Sequence, residues 1–150
     1  MEKWDLYTKY REKTGREHIR GKEVPDGFYH LVVHVWIKNN KGQFLISKRA
    51  ADRPSHPLMW ESAGGSVIKG EDSLEGAIRE TKEEVGIDLQ KENGKLLFSK
   101  IRGKNHNDIM DVCFLNIMAG FPLKMQLLLK WQNVNAVSYT HLTLPTIYSV

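Results

Sequence analysis

Glu80, Glu83 and Glu84 stand at i, i+3 and i+4, so a helix running through them puts three carboxylates on one face. Like charges that close repel one another, and near a helix C-terminus the dipole disfavours negative charge further. The arrangement becomes favourable when the three share a hard divalent cation that takes oxygen ligands in octahedral geometry. The competing reading is a solvated acidic face, which the i, i+3, i+4 pattern alone does not exclude.

A helix must carry these residues, and residues 73–85 predict one. Leu74, Ala77, Ile78 and Thr81 repeat at helical spacing, Asp72 or Ser73 can cap the start, and Gly86 can end it. Residues 30–38 (HLVVHVWIK) read as a central strand, 39–42 as a turn, and 43–49 as its hairpin partner. Residues 50–59, with Pro54 and Pro57, read as a loop, and the chain then runs from Trp60 to Val67 through Gly64 and Gly65. Residues 96–101 and 109–117 read as later strands, residues 4–8 as a short edge strand, and 9–27 as turns and loop. Strands on both sides of one helix suggest α/β or α+β with a mixed sheet.

Gly65, Glu71, Arg79-Glu80, Glu83-Glu84 and Gly86-Ile87 stand at the spacing of the Nudix box, and roughly residues 28–118 resemble the Nudix hydrolases. Leaving aside the aliphatic Ile87, seven fixed identities at set offsets arise by chance in roughly one such chain per million. Thr81 stands where the family prefers a bulky aliphatic residue. The resemblance implies an α/β/α sandwich with a mixed sheet, here with its C-terminal closing helix absent or replaced. It implies cleavage of a nucleoside diphosphate linked to another moiety. Glu80, Glu83 and Glu84 would hold Mg²⁺ or Mn²⁺, with the Gly65 carbonyl as a further ligand. Arg79 would orient these glutamates, Glu71 would brace the loop and Arg79, and Gly86 would be structural. The physical logic agrees: cations neutralise diphosphate oxygens and lower the pKa of a water, and a carboxylate takes its proton. Asp108 and Asp111 are candidates for a further carboxylate, against a reading as strand-end aspartates.

Upstream, Arg49, Arg53, Pro57 and Trp60 look like the subgroup close to isopentenyl diphosphate isomerase. Arg49 and Arg53 can hold phosphate oxygens bidentately, and Trp60 can stack on a base or pack as core. The isomerase itself is an alternative, but its chemistry needs a cysteine after Trp60, and residues 60–67 (WESAGGSV) contain neither Cys nor His. A non-catalytic binding module of the same fold is a third reading. His30 and His34 share one face of a strand but are too far apart to chelate one ion readily.

The remaining features set bounds. The chain has 150 residues, 41% hydrophobic and 27% charged, which is one ordinary domain. The apolar stretch 31–37 is interrupted by His34 and far too short to cross a bilayer. The single Cys113 excludes an internal disulfide and a Cys-only zinc site, and no apolar segment at the N-terminus reads as a secretory signal, so a cytoplasmic setting is expected. Net charge is +4, yet residues 112–150 contain no Asp or Glu, so part of the basic balance is a tail effect rather than a nucleic-acid patch. The partner expected is a small-molecule diphosphate, not a nucleic acid or a membrane, with a homodimer left open. Residues 1–27 are thus expected to hold an edge strand and loops, 28–118 the domain, and 119–150 an atypical tail. Within that tail, residues 137–150 (VSYTHLTLPTIYSV) resemble a translated sequencing adapter.

Overall fold

β-Branched and aromatic residues concentrate between 30 and 39, and there the chain forms the central strand β3. In the computed structural model, which describes residues 1–103, 106–117 and 129–132, the strands in chain order begin with β1 (Lys3–Tyr7), β2 (Lys13–Ile19), β3 (His30–Asn39) and β4 (Phe44–Lys48). Next come β5 (Trp60–Glu61), β6 (Ala63–Ser66), helix α1 (Ser73–Val85), and strands β7 (Gly94–Arg102), β8 (Asp108–Ile117) and β9 (Leu129–Gln132). The main sheet runs β5-β4-β3-β8-β7, with β6 also on β3 and β9 on β4. β3 and β8 lie parallel along their full lengths, His30 opposite Asp108 and Asn39 opposite Ile117, while the other pairings are antiparallel. The architecture is therefore mixed α/β around one central sheet.

Both central strands are apolar on two faces because both faces are covered. Leu31, Val33, Val35 and Ile37 pack with Ile109, Cys113 and Leu115 against Ala77 and Val85 of α1. Trp36 packs on the opposite face with Met110 and Val112, edged by Phe44 and Phe114.

Helix α1 has the predicted bounds. Asp72 accepts from the Glu75 backbone N–H at 2.9 Å, and the Glu75 carboxylate accepts from the Asp72 N–H at 2.8 Å, a reciprocal capping box. Gly86 ends the helix in the left-handed conformation (φ 72°), which glycine adopts without strain. Thr81 is fully buried, and its hydroxyl donates to the Ala77 carbonyl at 2.7 Å, so a polar side chain is accommodated at an aliphatic position.

The expectation that residues 9–27 are only turns and loop is corrected. Lys13–Ile19 form β2, antiparallel to β1 in a separate two-stranded sheet. Only His18 of that strand is buried, so no alternation of apolar residues marks it, and Gly15 (φ 75°) sits where the ladder shifts register. The edge strand expected at 4–8 is β1. Residues 129–132, within the expected tail, form β9 on β4. The expected loss of a closing helix and the adapter-like residues 137–150 fall outside the described residues. Among the described residues, no helix is long and apolar enough to cross a membrane.

Candidate functional site

The glutamate face of α1 opens on a cavity of about 510 Å³. Glu80, Glu83 and Glu84 line it together with Arg79 and with Gly64, Gly65 and Ser66 of β6. The hydrophobic faces of β3 and α1 place the two elements side by side, and glycine then sets how close they come. A Cβ on Gly65 would fall on the Glu80 carboxylate, and one on Gly64 would fall on the Val33 carbonyl.

Arg79 organises the charges. Its Nε and Nη2 donate to the two Glu71 oxygens at 2.9 and 3.1 Å, and Nη1 donates to Glu80 at 2.9 Å and Glu83 at 3.2 Å. Nη2 also donates to the Ser66 carbonyl at 2.8 Å, which ties the helix to β6. Glu71 in turn accepts from the Ile68 N–H at 3.2 Å and so holds the turn leading into the helix. Burial works against the charge on Arg79, but its bonds to Glu71 and Glu80 outweigh burial and raise its pKa. Burial raises the Glu80 carboxyl despite Arg79. Glu84 accepts from the Gly64 N–H at 2.9 Å. Burial nevertheless pushes its pKa up to about 7, helped by the charges of Glu80 and Glu61.

Of the upstream candidates, Arg53 lines the glutamate cavity. Arg49 lines a second cavity of about 430 Å³ that shares Gly64, Gly65, Ser66 and Glu61 with the first. There Arg49 donates to Glu61 at 2.7 Å and to the Ser55 carbonyl at 3.0 Å. Trp60 is half-buried in β5, with the Lys48 ammonium 6.0 Å from its ring centroid, and lines neither cavity.

The two aspartates lie elsewhere. Asp111 is fully buried beside Ser73 at the N-terminal end of α1, held by Arg11. Glu84 lies eleven residues further along, or ~16 Å at helical rise. Asp108 forms a two-bond pair with Arg102, both bonds at 2.7 Å. His30 is buried and stacked on Trp4, ring centroids 3.9 Å apart, and burial lowers both His30 and His34 to about 4. Cys113 is buried in the core, and burial pushes its thiol up to about 12.

Lys48, Glu61, Glu2 and Arg20 line the glutamate cavity without a signal in the sequence. Glu2 and Arg20 come from the two ends of the β1–β2 hairpin. They lie far from the box in the chain and follow no spacing rule, so only pairing of β1 with β2 brings them there.

No group of three or more His, Cys, Asp or Glu side chains among the described residues is arranged to enclose a single metal ion. The donor set nevertheless suits a hard cation: carboxylate oxygens with a proton affinity raised by burial lack the compensating charge that an ion supplies.

Comparison with known proteins agrees with this architecture. Nudix hydrolase lin0387 of Listeria innocua is 49% identical over 100 residues, which is 66% of this chain and 59% of that protein. The chain thus spans about 59% of that relative's length. An isopentenyl-diphosphate Delta-isomerase of Escherichia coli is 31% identical over 77 residues, 51% of this chain and 42% of that one. The crystal structure of DR0079 from Deinococcus radiodurans shares the fold, with a TM-score of 0.63 at 24% identity over 87% of this chain and 82% of that one. The NUDIX domain itself matches residues 28–137, a span that holds β3 through β9 and every carboxylate on the site face of α1. That match takes in most of the sequence, and the chain belongs to the NUDIX domain family.

Proposed function

We propose that this chain hydrolyses a diphosphate linkage in a nucleoside diphosphate derivative or a related diphosphate, with Mg²⁺ or Mn²⁺ as cofactor. The observation that carries this reading is the single face of α1 on which Glu80, Glu83 and Glu84 line one cavity, with Arg79 between Glu71 and two of them. Family membership supports it.

Glu80, Glu83 and Glu84, with the Gly65 carbonyl, would hold the cation. A divalent ion there neutralises phosphate oxygens and acidifies a water. The protein's part is positioning. Arg79 sets Glu80 and Glu83, and the Gly64 N–H sets Glu84. Glu71 keeps Arg79 from turning toward the substrate, since two of its donors are already used. Arg53 faces the same cavity, and Arg49 reaches the adjoining one, where each can meet phosphate oxygens.

The isomerase alternative requires a reactive thiol. Cys113 is buried in the core with its thiol raised to about 12, which leaves no thiolate near neutral pH. The test is a panel of nucleoside diphosphate derivatives and other diphosphates, assayed with Mg²⁺ and with excess chelator. Phosphate-bearing products formed only with Mg²⁺ support the hydrolase. Equal rates in both conditions exclude the cation, a shifted double bond identifies an isomerase, and no turnover of any member leaves a binding module.

A further inference from the structure

The β1–β2 hairpin precedes the residues matched by the NUDIX domain, which begin at 28. It is nevertheless built into the site. The Lys69 N–H donates to the Lys3 carbonyl at 2.8 Å and the Gly70 N–H to Asp5 at 3.0 Å, so the turn entering α1 hangs on β1. Arg11, at the hairpin tip, binds Asp111 and Ser73 at the start of the helix. At the other end of the hairpin, Arg20 lines both the glutamate cavity and its neighbour.

Arg20 is held in place. Its N–H donates to the Glu2 carbonyl at 3.0 Å, and Nη1 donates to the Glu2 carboxylate at 2.8 Å. Glu2 is fixed in turn by the Trp4 indole N–H at 2.8 Å, and Trp4 is buried and stacked on His30 of the central strand. A continuous contact path thus runs from the sheet core to one guanidinium. The Nε and Nη2 donors of Arg20 have no hydrogen-bond partner among the described residues, and its side chain remains 61% exposed. An exposed ion pair contributes only ~0–1 kcal/mol, so exchanging Glu2 for a phosphate costs little. The planar fork with two free donors matches a phosphate. Five glutamates line the cavity beside Lys48, Arg53 and Arg79, so a diphosphate entering among them gains from a further cation.

We propose that Arg20 is a substrate-binding residue of this site. It grips a phosphate at the junction of the two cavities, so that the hairpin outside the family domain selects substrates with an anionic group reaching that junction. This rests on the diphosphate reading above, and the test separates the two.

The probe is methylenediphosphonate, a diphosphate mimic that is not cleaved, titrated calorimetrically with Mg²⁺ into the full chain. Arg20→Ala should weaken binding by on the order of tenfold or more, the effect of a charged hydrogen bond, and Arg20→Lys should fall between it and the parent. Arg16→Ala is the control in the same hairpin, since Arg16 stacks on Phe28, 4.9 Å from the ring centroid, and should bind as the parent does. On any diphosphate that is turned over, Arg20→Ala should raise KM by a similar factor and leave kcat within about twofold, the pattern of lost uniform binding. Parent-like binding by Arg20→Ala, a parent that does not bind the probe, or a fall in kcat at unchanged KM each overturn the proposal. If binding depends on Arg20 while no diphosphate is hydrolysed, the hydrolase reading fails and the Arg20 site stands.

Discussion

The Arg11 guanidinium and the Asp111 carboxylate meet across 100 residues of sequence, with Nε of Arg11 3.3 and 3.2 Å from the two carboxylate oxygens. Asp111 is fully buried on the helix-facing side of β8, and the Ser73 hydroxyl donates to the same carboxylate. One contact therefore joins the hairpin tip, the central sheet and the first residue of the helix that bears the glutamates. The buried charge of Asp111 explains why an arginine must come from so far away. Left alone, a carboxylate in that position is uncompensated.

Arg11→Ala should lower the unfolding free energy by about 2–3 kcal/mol, less than the loss of a fully buried pair, because Asp111 is buried but Arg11 is 37% exposed. Urea denaturation of both proteins measures this. A loss below about 1 kcal/mol, the value of a surface pair, would mean that water replaces Arg11 freely and that the hairpin is not anchored there.

Glu83→Gln and Glu84→Gln should each reduce turnover by on the order of a hundredfold while the fold is kept, because each removes a charge at constant volume. Glu75→Gln is the contrast. Glu75 belongs to the capping box and pairs with Lys91 at 2.8 Å, so its change should appear as a loss of ~1 kcal/mol or less in stability, with turnover retained. Steady-state rates on the substrate that the panel identifies decide between them. Equal damage from Glu75→Gln would undo the assignment of roles.

In chelator, Glu84→Gln should be more stable than the parent at pH 8. The folded pKa of Glu84, about 7, lies above the unfolded value of 4.5. Its favourable contribution is therefore complete below pH 4.5 and lost as pH rises through 7. Removing the carboxylate abolishes that loss. Thermal melts at pH 5 and pH 8 should show the advantage of the variant only at the higher pH, and an advantage equal at both would contradict the burial argument.

His34 has the opposite sign. Its folded pKa, about 4, lies below the unfolded 6.5, so its contribution is complete above pH 6.5 and lost as pH falls toward 4. Burial of the neutral ring is the main cause, and Arg102 adds to it. Stability of the parent relative to His34→Gln should fall by on the order of 2 kcal/mol between pH 7 and pH 4, since each pKa unit corresponds to ~1.4 kcal/mol. Parallel denaturation midpoints for the two proteins across that range would show that the ring titrates as it does in the unfolded chain.

Deleting residues 137–150 should leave the urea midpoint unchanged or higher. The NUDIX domain match ends at 137, and residues 137–150 resemble a translated sequencing adapter. A loss of several kcal/mol, beyond what surface changes produce, would identify the segment as a packed native element.

Local chemistry made much of this legible from the chain alone. The bounds of α1 were written in Asp72, the apolar spacing and Gly86, because caps and periodicity act within a few residues. The strand at 30–39 declared itself through β-branched residues that have two faces to bury. Helical spacing alone put Glu80, Glu83 and Glu84 on one face. β2 was hidden because a mostly exposed strand needs no apolar alternation.

The distant partnerships had no such code. Asp111 and Asp108 read equally well as spare carboxylates for the site. Only packing decided that Asp111 pairs with Arg11 inside the core and Asp108 with Arg102 on the other face of the sheet. Glu2 and Arg20 reach the cavity solely because β1 and β2 pair and seat Trp4 on His30. Sequence by itself determined which groups share a helix face, since that depends on neighbours three and four residues away. That Glu2 and Arg20 join them in the cavity was decided by the tertiary fold, because contact between residues 60 to 82 positions apart exists only once the sheet has formed.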